Sequence, residues 1–369
     1  MKRGLATLLT LAALATLAGV PAAQQPPIKL GLAAAVSGGS AASGEAIKRG
    51  LQIAIDEVND KGGLLGGRKL ELVEREKVAA VFGGLHTTVA LAQVPVWHEL
   101  STPYVGTWAA GTNITRNGRT PNFVFRVSAN DDEVDKFLVR YAAEHLKRGK
   151  PGLLLENTAW GQSNETGLTR WFGERGVKAV GVEKFNWNDP DMSPQLLRLR
   201  QAGADVVMLV ANAPEGAQVV KSKAKVGWEV PIVSHWGISG GRFAELTGEL
   251  SDGVVFVQTY SFFGAQHARG AGVLKALKER YGVNGPEDVT APVGTADAYD
   301  ALHLVALAIE QAKSTDGARV RDALEDLKAE YAGLIKTYKR PFTPEQHDAL
   351  TERDYLMVVW KGGKIVPVH

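Results

Sequence analysis

Strand-length apolar runs alternate with helix-length amphipathic stretches along most of this chain, and that alternation admits few folds. In the second half "KPGLLLEN", "KAVGVEKFN", "ADVVMLVAN", "VPIVSHW" and "DGVVFVQTY" read as strands. Between them "NETGLTRWFGERG", "MSPQLLRLRQAG", "PEGAQVVKSKAKVG" and "GRFAELTGE" read as helices. In the first half "IKLGLAAAVSG" is a strand. "EAIKRGLQIAIDEVNDKGG" follows as a helix with Ile47, Leu51, Ile55 and Val58 on one stripe and a stop at Gly62-Gly63. "TTVALAQVPVWHEL" is a helix that Pro95 should bend, and "TPYVGTW" is a strand. Helices are predicted over 271–281, 291–312 and 318–329, and "DYLMVVWKGGKIVPVH" reads as a hairpin turning at Gly362-Gly363. Strand–helix–strand at this spacing calls for parallel sheets covered on both faces. One set before about Val127 and one after it predict two similar, doubly wound α/β lobes.

One stretch breaks the pattern. In "RKLELVEREKVAAVFGG" the run Leu70–Val73 and the run from Val78 to Phe82 both read as strands, with four residues between them. A parallel crossover needs about a dozen residues. The first strand must then be displaced, frayed or continuous with the second, and the face that a helix should cover is predicted to be exposed.

The start of the chain lies outside this fold. Met1-Lys2-Arg3 is basic, Leu5 to Val20 is an apolar Ala/Leu-rich run, and "VPAA" offers small residues for cleavage, so residues 1–22 read as a signal peptide. A membrane anchor is the competing reading, but "PAAQQPP" follows where a stop-transfer cluster would stand. The chain has no Cys, which leaves no site for a lipid near the cleavage point and no disulfides. A free protein in the periplasm is expected. Among 369 residues, 42 are Lys or Arg and 40 are Asp or Glu. Loss of Lys2 and Arg3 balances the charges, which argues against nucleic acid or anionic lipid as a partner.

Catalytic and cofactor signals are weak. "GISGG" fits G-x-S-x-G between a strand and a helix, with Ser239 as nucleophile and Asp297 or Asp300, then His303 or His347, in hydrolase order. Gly and Ser make such turns in most α/β loops without any chemistry. The 8 His residues include no H-x-x-x-H pair, so no metal is expected. "SGGSAASG" is not a dinucleotide fingerprint and "GGLHTT" lacks the Lys of a phosphate loop, so no cofactor is expected. What remains is a set of strand ends. "GGLHTT" opens a helix whose amides, with the Thr87 hydroxyl, suit a carboxylate, although Thr87 or Thr88 could equally cap that helix. "GTWAAGTN", "NTAWG" and "SHWG" place Trp108, Trp160 and Trp236 at carboxyl ends of strands, where α/β ligands bind.

These residues resemble a known family. "IKLGLAAAVSGGSAASGEAIKRGLQIAIDEVNDKGGLLGGRKLELV", "VAAVFGGLHTTVALAQVPVWHELSTPYVGTWAAGTNIT", "GADVVMLVANAPEGAQVVKSKAKVG" and "PVGTADAYDALHLVALAIEQA" are similar to periplasmic substrate-binding proteins of the leucine/isoleucine/valine-binding type. The resemblance spans essentially the whole mature chain. It implies two lobes joined by three crossing segments, near Arg126, Gln258 and Ile335. The first lobe would comprise 27–127 plus 258–335, and the second 128–257 plus 336–369. It further implies a monomer that closes on a small molecule and delivers it to an ATP-driven (ABC) permease of the inner membrane; a sensor docking on a signalling receptor is the alternative. By the same resemblance Thr87, with Trp108, Ala109 and Ala110, stands where a carboxylate is held, and Ser43 lies on a first loop near the ligand. Trp160 stands for a closing aromatic, Asn212 for a Tyr, and Trp236 for the acid that pairs with an α-ammonium. Without that acid, an acid with an apolar or aromatic body is expected in place of a plain α-amino acid, unless Asp205, Glu215 or Asp297 supplies the charge. The resemblance also implies a helix, with its turn about twenty residues, that is missing between Val73 and Val78.

Overall fold

The computed structural model describes residues 25–35, 37–73 and 77–368. The expected leader and residues 74–76 of the short connection lie outside the described residues, and so does the point where a helix was expected to be missing.

The first sheet is built from β1 (Ile28–Ala33), β2 (Leu70–Val73), β3 (Ala80–Gly83), β4 (Tyr104–Gly106) and β5 (Val124–Arg126), parallel throughout in the order β2-β1-β3-β4-β5. With it go α1 (Ala41–Asp60), α2 (Thr87–Glu99) and the short α3 (Thr112–Thr115). The stripe on α1 is buried as its spacing requires: Ile47, Leu51, Ile55 and Val58 all face the core. After β5 comes α4 (Asp131–Arg140), which the periodicity did not reveal. Its mark is local, since the Asn130 side chain accepts from the Asp132 amide and three acids fill its first turn.

The second sheet has seven strands. Five of them are β6 (Pro151–Glu156), β7 (Gly181–Phe185), β8 (Val206–Val210), β9 (Ile232–Ser234) and β10 (Val255–Gln258), with helices α5 (Ala159–Gly173), α6 (Ser193–Gln201), α7 (Ala213–Lys225) and α8 (Phe243–Thr247) between them. The chain then adds α9 (Ala268–Tyr281), α10 (Pro292–Ala312), α11 (Gly317–Glu325) and the ribbon of β11 (Tyr331–Ala332) and β12 (Thr337–Tyr338). It returns as the predicted hairpin, β13 (Leu356–Lys361) and β14 (Lys364–Pro367), which joins antiparallel to β10. The order β14-β13-β10-β9-β8-β6-β7 is a doubly wound parallel sheet with an antiparallel edge. The third predicted helix of the late group stops at Glu325, four residues earlier than expected.

Helix α10 is buried nearly all round and packs along α1. Its Asp300 is fully buried, yet accepts hydrogen bonds from the Leu334 amide at 2.7 Å, the Ile335 amide at 3.0 Å and the Tyr338 hydroxyl at 2.9 Å. Burial pushes its carboxyl up to about 6.

The short connection corrects an expectation. Strands β2 and β3 are not neighbours; they flank β1, and Gly31 of β1 stands opposite both Val73 and Val81. β2 and β3 thus stand about 9.5 Å apart, with β1 between them. Val78 packs over β1, its Cγ2 lying 3.4 Å from where a Cβ on Gly31 would be, an ordinary contact. β2 is neither displaced nor frayed, since all four of its residues pair with β1. The uncovered face is present: a groove of about 820 Å³ is lined by Gly31, Val73, Val78, Val81, Trp97 and Leu100. Leu100 is 60% exposed there.

Candidate functional site

The carboxyl ends of both sheets face one cleft. From the first lobe it is lined by Leu85, His86, Thr87, Thr88, Trp108 and Ala110; from the second by Glu156, Thr158, Trp160, Trp187, Asn212 and Trp236. The walls meet: Trp108 and Trp236 have ring centroids 5.7 Å apart, and His86 and Trp187 5.1 Å. The Thr112 amide donates across the lobes to Ser163 Oγ at 3.2 Å. The space left is about 10 Å³, the room of roughly one water. The lobes are closed, and a ligand enters only if they part.

On the first-lobe side, α2 begins at Thr87 after His86, which makes no side-chain cap. Thr87 does not cap either. Its Oγ accepts from the Gly111 amide at 3.2 Å, which leaves the hydroxyl proton to donate elsewhere. The first amides of α2 have no partners within the helix. The neighbouring loop is held from behind: the Ala109 amide donates to Gly84 O at 2.9 Å, and Ala110 O accepts from the Asp131 amide at 2.8 Å. Arg126 Nη1 donates to Ala109 O at 3.2 Å and to Gly111 O at 2.9 Å. The same guanidinium reaches Asp348 Oδ1 at 2.7 Å and Thr115 Oγ at 3.0 Å, and Asn130 Nδ2 donates to Asp348 Oδ2 at 2.7 Å. Arg126 and Asp348 are both buried, at the point where the chain leaves the first sheet.

On the other side, the Trp walls hang from Asp131. Its Oδ1 accepts from Trp160 Nε1 at 3.1 Å and from His235 Nε2 at 3.0 Å. The Trp236 amide donates to His235 Nδ1 at 2.8 Å, so the proton of this imidazole is on Nε2. Glu156 ends β6 and is 1% exposed. Its Oε1 accepts from the Asn212 amide at 2.7 Å and Asn212 Nδ2 at 2.8 Å, and its Oε2 from Trp187 Nε1 at 3.0 Å. Burial raises its pKa, the bonds from Trp187 and Asn212 oppose that, and the like charge of Glu215 adds to the rise. Burial lowers the pKa of His86.

Six of the eight sequence-predicted residues line the cleft: Thr87, Trp108, Ala110, Trp160, Asn212 and Trp236. Ala109 lies just behind it in the core of the first lobe. Ser43 sits at the lobe–lobe contact, where a methyl group on Gly240 would come 2.1 Å from Ser43 Oγ. The cleft also holds a carboxylate that the sequence reading did not name, Glu156. Its signal was an acid closing the apolar strand "LLLEN", by the same strand-end rule that found the Trp residues. Asp205, Glu215 and Asp297 do not line the cleft; they accept from the Lys150 amide, the Asn188 amide and the Thr259 hydroxyl respectively. Ser239 forms no triad. Its Oγ is buried without a partner, while Asp297, Asp300 and His347 are engaged with Thr259, Leu334 and Val124, and His303 stacks on Tyr331.

A profile of the periplasmic binding protein family matches residues 70–364. The chain belongs to the periplasmic binding protein family. This binding protein is 26% identical over 376 residues to the Leu/Ile/Val-binding protein BraC3 of Rhizobium johnstonii, covering 97% of this chain and 98% of that one. It superposes with a TM-score of 0.83 on a type 1 periplasmic binding protein of Bordetella pertussis, at 24% identity and covering 93% and 100% of the two chains. It superposes at 0.79 on LivJ of Streptococcus pneumoniae in complex with isoleucine, with 22% identity and 92% and 97% coverage. For a solute-binding protein of R. palustris in complex with 4-hydroxybenzoate the TM-score is 0.77, with 20% identity and 94% and 96% coverage. Proteins of this family bind solutes and are not enzymes. Among the described residues no helix is long and apolar enough to cross a membrane, and no cluster of His, Asp or Glu could hold a metal.

Proposed function

We propose that the protein is a periplasmic receptor that captures a small carboxylate-bearing ligand, an amino acid or an aromatic or aliphatic acid, and delivers it to an ABC importer. The observation that carries this is the pairing within one cleft of a donor-rich edge with aromatic walls. The Thr87 hydroxyl and the first amides of α2, beside Ala110, receive the carboxylate. Trp108 from one lobe and Trp160 and Trp236 from the other enclose the body of the ligand, with Asn212 at its edge. Ala109 supports the donor loop, and Ser43 packs against Gly240 on closure.

The lobes divide as 27–127 plus 258–335 and 128–257 plus 336–369, with hinge motion at the crossings. The leader exports a chain that works as a free monomer. Ligands in the complexes of similar fold, isoleucine and 4-hydroxybenzoate, span the proposed class. A thermal-shift screen against amino acids, aromatic acids and amides tests it. A ligand at a hundred times its Kd stabilises by about 2.7 kcal/mol. Stabilisation by amides alone, or by none of these, refutes the reading.

A further inference from the structure

Glu156 is a buried carboxylate with no cation paired to it among the described residues. Among the residues lining the cleft there is no Lys or Arg, and the imidazole of His86 is held toward its neutral form by burial. The groups that touch Glu156 are all donors: a backbone N–H, an amide NH₂ and an indole N–H. Such a set describes an acceptor. A carboxylate offers about four lone-pair positions, and three are taken, two on Oε1 and one on Oε2. The remaining position is on Oε2, in a side chain that lines the ligand cleft. A carboxylate kept from water without a counter-charge costs several kcal/mol, and a cation brought in by the ligand offsets that cost. The faces of Trp108, Trp160, Trp187 and Trp236, which line the same space, favour a cation as well.

We infer that Glu156 is a specificity-determining residue that selects, among small acids, those that also carry a cationic nitrogen. This rests on the proposed reading of the cleft, with Thr87 at the carboxylate end. It relocates the acidic end of the site to the close of β6, away from the turn after β9 where Trp236 stands.

The test is calorimetric titration of the mature chain with two matched pairs: leucine with 4-methylpentanoate, and phenylalanine with 3-phenylpropionate. Each pair differs in the amine. For wild type, the amine-bearing member of at least one pair should bind about tenfold tighter or more, the size of a hydrogen bond to a charged group. Glu156→Gln keeps the shape and removes the charge, and should shrink that ratio to within about threefold. Equal or tighter binding of the deaminated acids to wild type overturns the inference and leaves the receptor reading standing. So does an unchanged ratio in Glu156→Gln. If Glu156→Gln does not fold, the wild-type ratio decides alone. Failure of both pairs, together with benzoate and 4-hydroxybenzoate, overturns the receptor reading and the inference with it.

Discussion

Arg126 and Asp348 form a buried ion pair where the chain leaves the first sheet, and removing both should cost well short of the sum of removing each. The Arg126 side chain is 0% exposed and that of Asp348 2%. Asp348→Asn leaves the guanidinium buried without a counter-charge, among neutral acceptors such as Ala109 O, Gly111 O and Thr115 Oγ. Arg126→Met leaves the Asp348 carboxylate facing Thr115 and Asn130, and strips two loop carbonyls of their donor. Either change should cost about 3–5 kcal/mol. The double variant Arg126→Met, Asp348→Asn has no uncompensated charge, so its cost should fall short of the sum by at least ~2 kcal/mol. Urea unfolding of the four proteins, read by circular dichroism, measures the cycle. Costs that add to within ~0.5 kcal/mol would refute the reasoning, and so would an Asp348→Asn protein as stable as wild type.

Other outcomes follow from single contacts. Gly240→Ala drives a methyl group to 2.1 Å from Ser43 Oγ across the lobes, so it should weaken binding of a ligand found in the thermal screen by about tenfold or more. Ser43→Ala in the same chain should recover most of that loss; no recovery would show that the contact is not what limits closure. Asp300 has its pKa raised to about 6 from an ordinary 3.8, so the native state binds the proton more tightly. Its ionised form costs the native state about 3 kcal/mol above pH 6, and that cost fades as pH falls toward 4. The stability difference between wild type and Asp300→Asn should therefore shift toward wild type from pH 7 to pH 4, and a shift in the opposite sense contradicts the assignment. An amphipathic helix of about twenty residues inserted between Val73 and Lys77 should cover the groove beside Leu100 and raise the melting temperature. An unchanged value would count against an uncovered first lobe.

Alternation alone made the two parallel sheets legible, because a strand buried on both faces and a one-sided helix leave different patterns, as in "ADVVMLVAN" and "EAIKRGLQIAIDEVNDKGG". The three strand-end Trp residues were legible for the same reason, since the carboxyl end of a parallel strand is where the fold opens. Strand order was not legible. That β1 lies between β2 and β3 depends on pairing at a distance, which no local pattern encodes. Asp131 escaped notice because it acts through space, gathering Trp160 and His235 from 29 and 104 residues away. Glu156 was legible only as an acid closing an apolar strand, because its partners Asn212 and Trp187 come from 56 and 31 residues away.

Where a ligand sits is the decisive observation. A crystal structure with a ligand taken from the thermal screen should show its carboxylate against Thr87 and the first turn of α2, its body between Trp108, Trp160 and Trp236, and the lobes closed over it. Density instead in the separate cavity beside Arg242, Phe262 and Thr290, with the Trp-lined cleft unchanged, would contradict the assignment of the site.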